Sequence, residues 1–446
     1  MRTIATTDRA ALAVASLRRR LTSRIGGLIG LAASMAAGMP ATAAAQDVAA
    51  AQDVGAAVDT SRVGEARELL DRYPVFDGHN DLAWAIRRAE APLDVEAYDL
   101  RTPTTGHTDL ERLAAGGVGA QFWSVYIPGE IADSGYVRVQ LEQIDVARRV
   151  LERYPEFELV GTADEAEAAM ADGRIASMLG IEGGHALGNS ISLLRAYYDL
   201  GARYLTLTHN VTLDWADAAT DSARHGGLTA FGEDVVREMN RLGMLVDLSH
   251  VSPATMHDAL DVTEAPVIFS HSSARALTDH ARNVPDDVLL RIPDNGGLVM
   301  VTLVPSFVSE PLRRWGVRQD SLRDGLETTG ASEDEVREAV AAFREQGTRP
   351  EATVADVADH IEHVRDVAGI DHVGIGADYD GISSTPAGLE DVASYPVLIA
   401  ELLRRGWSEA DLAKLTNGNA FRVLRAAEAV ALRLREQRPA GIGRLP

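Results

Sequence analysis

The chain has 446 residues, 46% hydrophobic and 24% charged, which is enough apolar material for a large buried core. Its formal net charge of −23 repels nucleic acid and anionic membrane surfaces, so neither is an expected partner. It contains no cysteine, which excludes disulfides, iron–sulfur clusters, thiolate metal sites and cysteine nucleophiles; any metal must be held by nitrogen and oxygen.

Residues 1–45 have the pattern of a removable signal peptide. Arg18, Arg19, Arg20 and Arg24 form a basic region, Ile25 to Met39 is apolar, and Ala43-Ala44-Ala45 precedes Gln46 as a small-residue cleavage site. The apolar run is too short and too weakly hydrophobic for a membrane span. Without cysteine there is no lipid attachment of the lipoprotein type, and Ala440 to Pro446 offers no hydrophobic tail for a GPI signal. The mature chain is therefore expected to be periplasmic or secreted, without a membrane anchor. Residues 46–62, rich in Ala, Asp and Val, read as a flexible tether, residues 63–430 as one catalytic-size domain, and residues 431–446 as a tail.

Within that domain, Ala66–Tyr73 reads as a short helix, and strand-like and helix-like segments alternate from there on. The strand candidates are Val75–Asp77, Gly119–Tyr126, Ile175–Ile181, Tyr204–Thr208, Met244–Leu248, Val267–Ser270, Leu298–Leu303 and His372–Ala377. Helical patterns between them include Val139–Arg153, Ala163–Ala171, Ser192–Leu200, Phe231–Leu242 and Pro253–Leu260. Eight such units predict an α/β fold, a closed (β/α)8 TIM-like barrel. An open doubly wound sheet is the rival, but no glycine-rich dinucleotide fingerprint follows an early strand. Residues 306–366 break the rhythm and read as a helical insertion between strands 7 and 8, with Ser332-Glu333-Asp334-Glu335 as a helix start. Glu401 to Leu424 supplies closing helices.

The strand ends carry the chemistry. The first gives His79 and Asp81, two residues apart and so able to share a strand face. The third gives Glu182 and, three residues on, His185. The fourth gives His209-Asn210, the fifth Ser249-His250, the sixth His271-Ser272, and the eighth Asp378-Tyr379-Asp380. In a barrel these ends converge on one mouth. Three histidines with an aspartate and a glutamate suffice for two zinc-like ions if one carboxylate bridges them, and Glu182 is the candidate bridge. Co2+ or Mn2+ would suit the same donors. Two such ions sharing a hydroxide can direct it at a carbonyl. His209 is then placed either to stabilise the oxyanion or to act as a sixth ligand. Asp378, with Asp380 as rival, is placed to carry the proton. Arg282 could clamp a substrate carboxylate, or form a surface salt bridge. His185 could support the site by hydrogen bonding, and the other histidines read as surface or supporting residues.

These segments resemble the membrane dipeptidase (renal dipeptidase) family of binuclear zinc peptidases. The likeness runs from about Pro74 to Ala427, through Asp77-Gly78-His79-Asn80-Asp81, Gly119-Ala120-Gln121-Phe122-Trp123-Ser124, Gly180-Ile181-Glu182-Gly183-Gly184-His185 and Leu205-Thr206-Leu207-Thr208-His209-Asn210. It continues through Val246-Asp247-Leu248-Ser249-His250, Phe269-Ser270-His271-Ser272, Ala281-Arg282-Asn283 and Gly374-Ile375-Gly376-Ala377-Asp378-Tyr379-Asp380-Gly381. The resemblance implies that His79, Asp81 and Glu182 bind one zinc, and that Glu182, His250 and His271 bind the other. It implies that His209 contacts the scissile group, Arg282 the C-terminal carboxylate, and Asp378 the migrating proton. It further implies dipeptide substrates, with a D-residue tolerated at the C-terminal position as in bacterial members. A tyrosine that lines the pocket of mammalian members is replaced by Leu303-Val304-Pro305. The same barrel could serve a cyclic amide, lactone or β-lactam, a non-catalytic metal- or partner-binding role is the reading from another class, and a homodimer is left open.

Overall fold

The computed structural model describes residues 59–131 and 135–445; the expected signal peptide and the tether as far as residue 58 lie outside the described residues. Among the described residues nine strands form one sheet: β1 (Val75–Asn80), β2 (Val118–Ser124), β3 (Phe157–Leu159), β4 (Ile175–Glu182), β5 (Ala202–Thr206), β6 (Leu245–Asp247), β7 (Val267–Phe269), β8 (Leu298–Val301) and β9 (Val373–Ile375). Their order is β2-β1-β9-β8-β7-β6-β5-β4-β3, and a further β2–β4 pairing closes eight of them into a parallel barrel. The eight expected strands are thus β1, β2 and β4–β9. The extra one, β3, pairs only with β4 and is a spur outside the ring. Its three residues follow Pro155 too closely for a hydrophobic period to declare itself.

Both faces of the barrel strands are buried, because helices cover the outside. Phe76, Phe122, Met178, Tyr204, Leu245, Ile268, Leu298 and Met300 pack with one another as the interior layer. Val75, Trp123, Leu179, Leu205, Val246, Val267, Val299 and Val373 face the helices. The alternation is the period-two rule applied to a closed sheet. Interior space is fitted closely: a Cβ added at Gly180, two residues beyond Met178, would lie 2.0 Å from the Tyr204 ring. That absence of a side chain is what lets Tyr204 cross the barrel toward β1.

Helices fill the connections where the periodicity places them, at Tyr136–Arg153, Ala163–Ala171, Ser192–Asp199, Ala230–Leu242 and Pro253–Val262. The helix start at Ser332 is a capping box, with the Ser332 side chain and Glu335 each satisfying the other's backbone N–H. The expected insertion divides in two. Glu310–Thr328 and Glu333–Gln346 pack against each other, with Trp315 and Phe343 at 5.4 Å, whereas Val354–Ala368 lies on β8 and β9 as the barrel's own crossover helix. The closing helix Asn419–Gln437 runs past the expected boundary at residue 430, because Ala427, Ala431 and Leu434 continue its buried stripe. Among the described residues, no helix is long and apolar enough to cross a membrane.

Candidate metal centre at the barrel mouth

The interior face of each strand leads upward into the site. On β4 the inner series Met178, Gly180 ends at Glu182; on β6, Leu245 and Asp247 precede His250; on β7, Ile268 and Ser270 precede His271. β1 departs from the expectation of simple alternation. Phe76 points inward, so His79 would face the helices, but the register against β2 shifts between Asp77 and Asn80. That irregularity turns His79 into the mouth, and Asp81 follows at the start of helix Leu82–Arg88.

His79, Asp81, Glu182, His250 and His271, up to almost 200 positions apart in sequence, meet here, all buried. His79 Nε2 lies 3.1 Å from Asp81 Oδ2 and 3.6 Å from Glu182 Oε2. The other Glu182 oxygen, Oε1, lies 2.9 Å from His250 Nε2 and 3.4 Å from His271 Nε2. The two oxygens of one carboxylate therefore face two separate sets of donors. His250 Nε2 and His271 Nε2 are themselves only 2.9 Å apart. Two imidazole nitrogens with lone pairs turned on the same point, and a buried Asp81 Oδ1 with no hydrogen-bond partner, are hard to satisfy without a cation.

The opposite edge of each ring is held. His79 Nδ1 is 2.7 Å from the Tyr204 hydroxyl, His250 Nδ1 3.2 Å from Asn210 Oδ1, and His271 Nδ1 2.8 Å from Ser270 Oγ. Each partner can accept from an Nδ1–H, which leaves Nε2 free to ligate. Oxygen and nitrogen donors of this kind at these spacings fit Zn2+ or a similar divalent ion. Electrostatics separate the rings: despite burial, Tyr204, Glu182 and Asp81 push His79 well above the ordinary histidine value, unlike His250 and His271. Burial alone would raise the Glu182 carboxyl, but His79, His209 and the His250 and His271 rings outweigh it and hold it well below the carboxylate range. Burial, reinforced by Arg282 and by neighbouring imidazoles, keeps His250 and His271 well below the ordinary histidine value and so neutral.

Around this core stand the other expected residues. His209 Nε2 is 3.7 Å from Glu182 Oε1, with its ring between His250 and Tyr126, and its side chain is 15% exposed against at most 8% for the other histidines of the cluster. Burial lowers its pKa, so it presents a neutral imidazole. Asp378 groups with His79 and Asp81. Desolvation, with Asp81 and Glu182 adding repulsion, pushes its carboxyl well above the usual range. Its rival Asp380 turns away: Oδ1 accepts from the His107 backbone N–H at 2.6 Å, outside the cluster. His250, Asp378 and Asp380 are three of the five described non-glycine residues with positive φ, so backbone strain is concentrated at this rim.

Arg282 is buried, not a surface residue. It donates to Ser272 Oγ and the His271 carbonyl, both at 3.3 Å, and its guanidinium lies over Phe307. Burial lowers its pKa to about 10, which still leaves it cationic at neutral pH. Among the described residues no carboxylate pairs with it within 4 Å, so its remaining donors are available to an anionic ligand.

His185 does not bond the ligand residues; its Nε2 lies 2.9 Å from the Ile127 carbonyl and ties down the segment after β2. Of the histidines read as surface or supporting residues, His360 is buried and supports the segment after β7, accepting from the Ala274 N–H at 3.0 Å. The residues that sequence reasoning passed over are the ring holders Tyr204, Asn210 and Ser270. Their signal is present in the sequence: Tyr204 and Thr206 on β5, and Ser270 directly after β7, are polar groups in line with the inward positions of their strands.

A family model described as membrane dipeptidase (peptidase family M19) matches residues 63–438. Dipeptidase 3 of Mus musculus is 44% identical over 371 residues, covering 82% of this chain and 67% of that protein. Dipeptidase 3 of Homo sapiens is 42% identical over 381 residues, covering 84% and 70%. A solved metallo peptidase from Rhodobacter sphaeroides, liganded with a phosphinate mimic of the dipeptide L-Ala-D-Ala, has a TM-score of 0.67 at 27% identity over 79% of this chain and 99% of that one. The probable dipeptidase PvdM from Pseudomonas aeruginosa shares the fold, with a TM-score of 0.74 at 24% identity over 83% and 99% of the two chains.

Proposed function

We propose, from the premise that this chain belongs to the membrane dipeptidase family, that it is a zinc dipeptidase in which His79, Asp81, Glu182, His250 and His271 would hold two ions. Metal-dependent dipeptide hydrolysis is the activity of the family. The finer claim of a zinc pair is supported most by one observation: the two oxygens of Glu182 face different donor sets, His79 with Asp81 on one side and His250 with His271 on the other. When bound, such ions activate water and polarise the scissile carbonyl.

The chain's own residues then have separable tasks. Arg282 holds the substrate's C-terminal carboxylate by charge-assisted hydrogen bonds. His209, neutral and the most open of the clustered rings, donates to the carbonyl oxygen as it gains charge. Asp378, grouped with His79 and Asp81 and with its carboxyl pushed well above the usual carboxylate range by burial, passes a proton to the leaving amine. The L-Ala-D-Ala mimic in the Rhodobacter sphaeroides relative supports a substrate class that includes dipeptides with a D-residue at the C-terminal position.

The Arg282 role gives a direct test on substrate. A dipeptide amidated at its C-terminus should lose about 1.5–3 kcal/mol of binding in the transition state, roughly 10- to 150-fold in kcat/KM. In Arg282→Ala the free and amidated dipeptides should become equally poor. Equal turnover of the two by the unaltered protein would remove the carboxylate clamp.

A further inference from the structure

The motif Val246-Asp247-Leu248-Ser249-His250 contributes His250 to the site, yet its aspartate has no place in the chemistry above. Asp247 is fully buried at the end of β6. No arginine, lysine or histidine among the described residues pairs with it. Its Oδ1 accepts the backbone N–H groups of Ser249 at 3.1 Å and Ser270 at 2.8 Å. Its Oδ2 accepts the hydroxyls of Thr206 at 2.5 Å and Ser270 at 2.7 Å. One carboxylate thus ties together the ends of β5, β6 and β7, from which His209, His250 and His271 project.

The Ser270 hydroxyl has two close partners, Asp247 Oδ2 at 2.7 Å and His271 Nδ1 at 2.8 Å, with Ser249 Oγ farther off at 3.5 Å. It has a single proton, and an ionised carboxylate can only accept. The proton therefore goes to Asp247, and the Ser270 oxygen accepts from His271 Nδ1–H. That places the lone pair of His271 on Nε2, the atom that faces Glu182 and His250. We propose that Asp247, acting through Ser270, is a positioning residue that sets the tautomer and aim of His271 and so governs metal affinity from outside the ligand set. The inference rests on the reading of His271 as a ligand.

Asp247→Asn is the informative substitution because it preserves shape while reversing polarity. Its carbonyl oxygen can still accept from the Ser249 and Ser270 backbone N–H groups. Its amide then donates to Ser270 Oγ, whose own proton turns to His271 Nδ1. His271 is driven to the Nε2–H tautomer, which cannot ligate.

The test is zinc and cobalt affinity of the full chain, measured by competition with a chromophoric chelator, alongside the far-UV spectrum and Tm of the metal-free forms. Asp247→Asn and Ser270→Ala should each weaken metal binding about 10- to 100-fold with the metal-free fold retained. The double variant should be no weaker than the more affected single variant, because both act through one hydroxyl. His271→Ala is run beside them. If it weakens binding while Ser270→Ala does not, the relay is overturned and the ligand reading stands. If His271→Ala leaves affinity unchanged, the ligand reading itself fails. Should Asp247→Asn not fold, Ser270→Ala alone decides: unchanged affinity overturns the proposal.

Discussion

Asp378→Asn should retain its metal and lose turnover by roughly 10²-fold or more, the scale of a lost general acid–base group. The physical ground is a carboxyl pressed by desolvation and by Asp81 and Glu182 to a pKa well above the ordinary aspartate value. Such a group holds a proton more readily than an ordinary surface aspartate does. The asparagine keeps the shape, and asparagine tolerates the left-handed backbone that Asp378 adopts at φ 68°. The variant therefore isolates proton transfer from folding. Stopped-flow or steady-state assay with parallel metal analysis checks it: kcat should fall while metal content and KM change little. Undiminished kcat would assign the proton to another group.

A larger effect is expected from Glu182→Gln, which should lose metal and at least about 10³-fold in kcat/KM, since metal activation of water and carbonyl is worth several kcal/mol. The glutamine can offer an oxygen to one donor set only, and its amide N–H groups would face imidazole nitrogens on the other. Replacing the carboxylate also strips the charge that would balance a cation among buried rings. Metal content measured after gel filtration, with activity at added zinc, separates weakened binding from impaired chemistry. Full metal occupancy with near-normal turnover would contradict the bridging role.

Much of this architecture is legible in the sequence itself. The eight barrel strands were found because buried parallel strands read as short apolar runs, and their polar ends stood out against that background. Glu182, His250 and His271 could be placed by such runs alone. Strand alternation alone does not bring His79 to the mouth beside Asp81, since it is the register shift in β1 that turns His79 inward. β3 escaped because three residues carry no period. The boundary at residue 430 was set early because the helical stripe beyond it is built of widely spaced Ala and Leu among charged residues. The hydrogen bonds that orient the ligand rings were beyond reach for another reason. Tyr204 meets His79 from 125 positions away, and only barrel closure makes them neighbours.

On the proposed function, the Glu182 carboxylate would stand between two cations at the barrel mouth. Anomalous diffraction from zinc-loaded crystals, recorded on both sides of the zinc absorption edge, tests it most directly. The account predicts two zinc peaks flanking the Glu182 carboxylate, one beside His79 and Asp81 and the other beside His250 and His271. A single peak, or peaks away from Glu182, would contradict it.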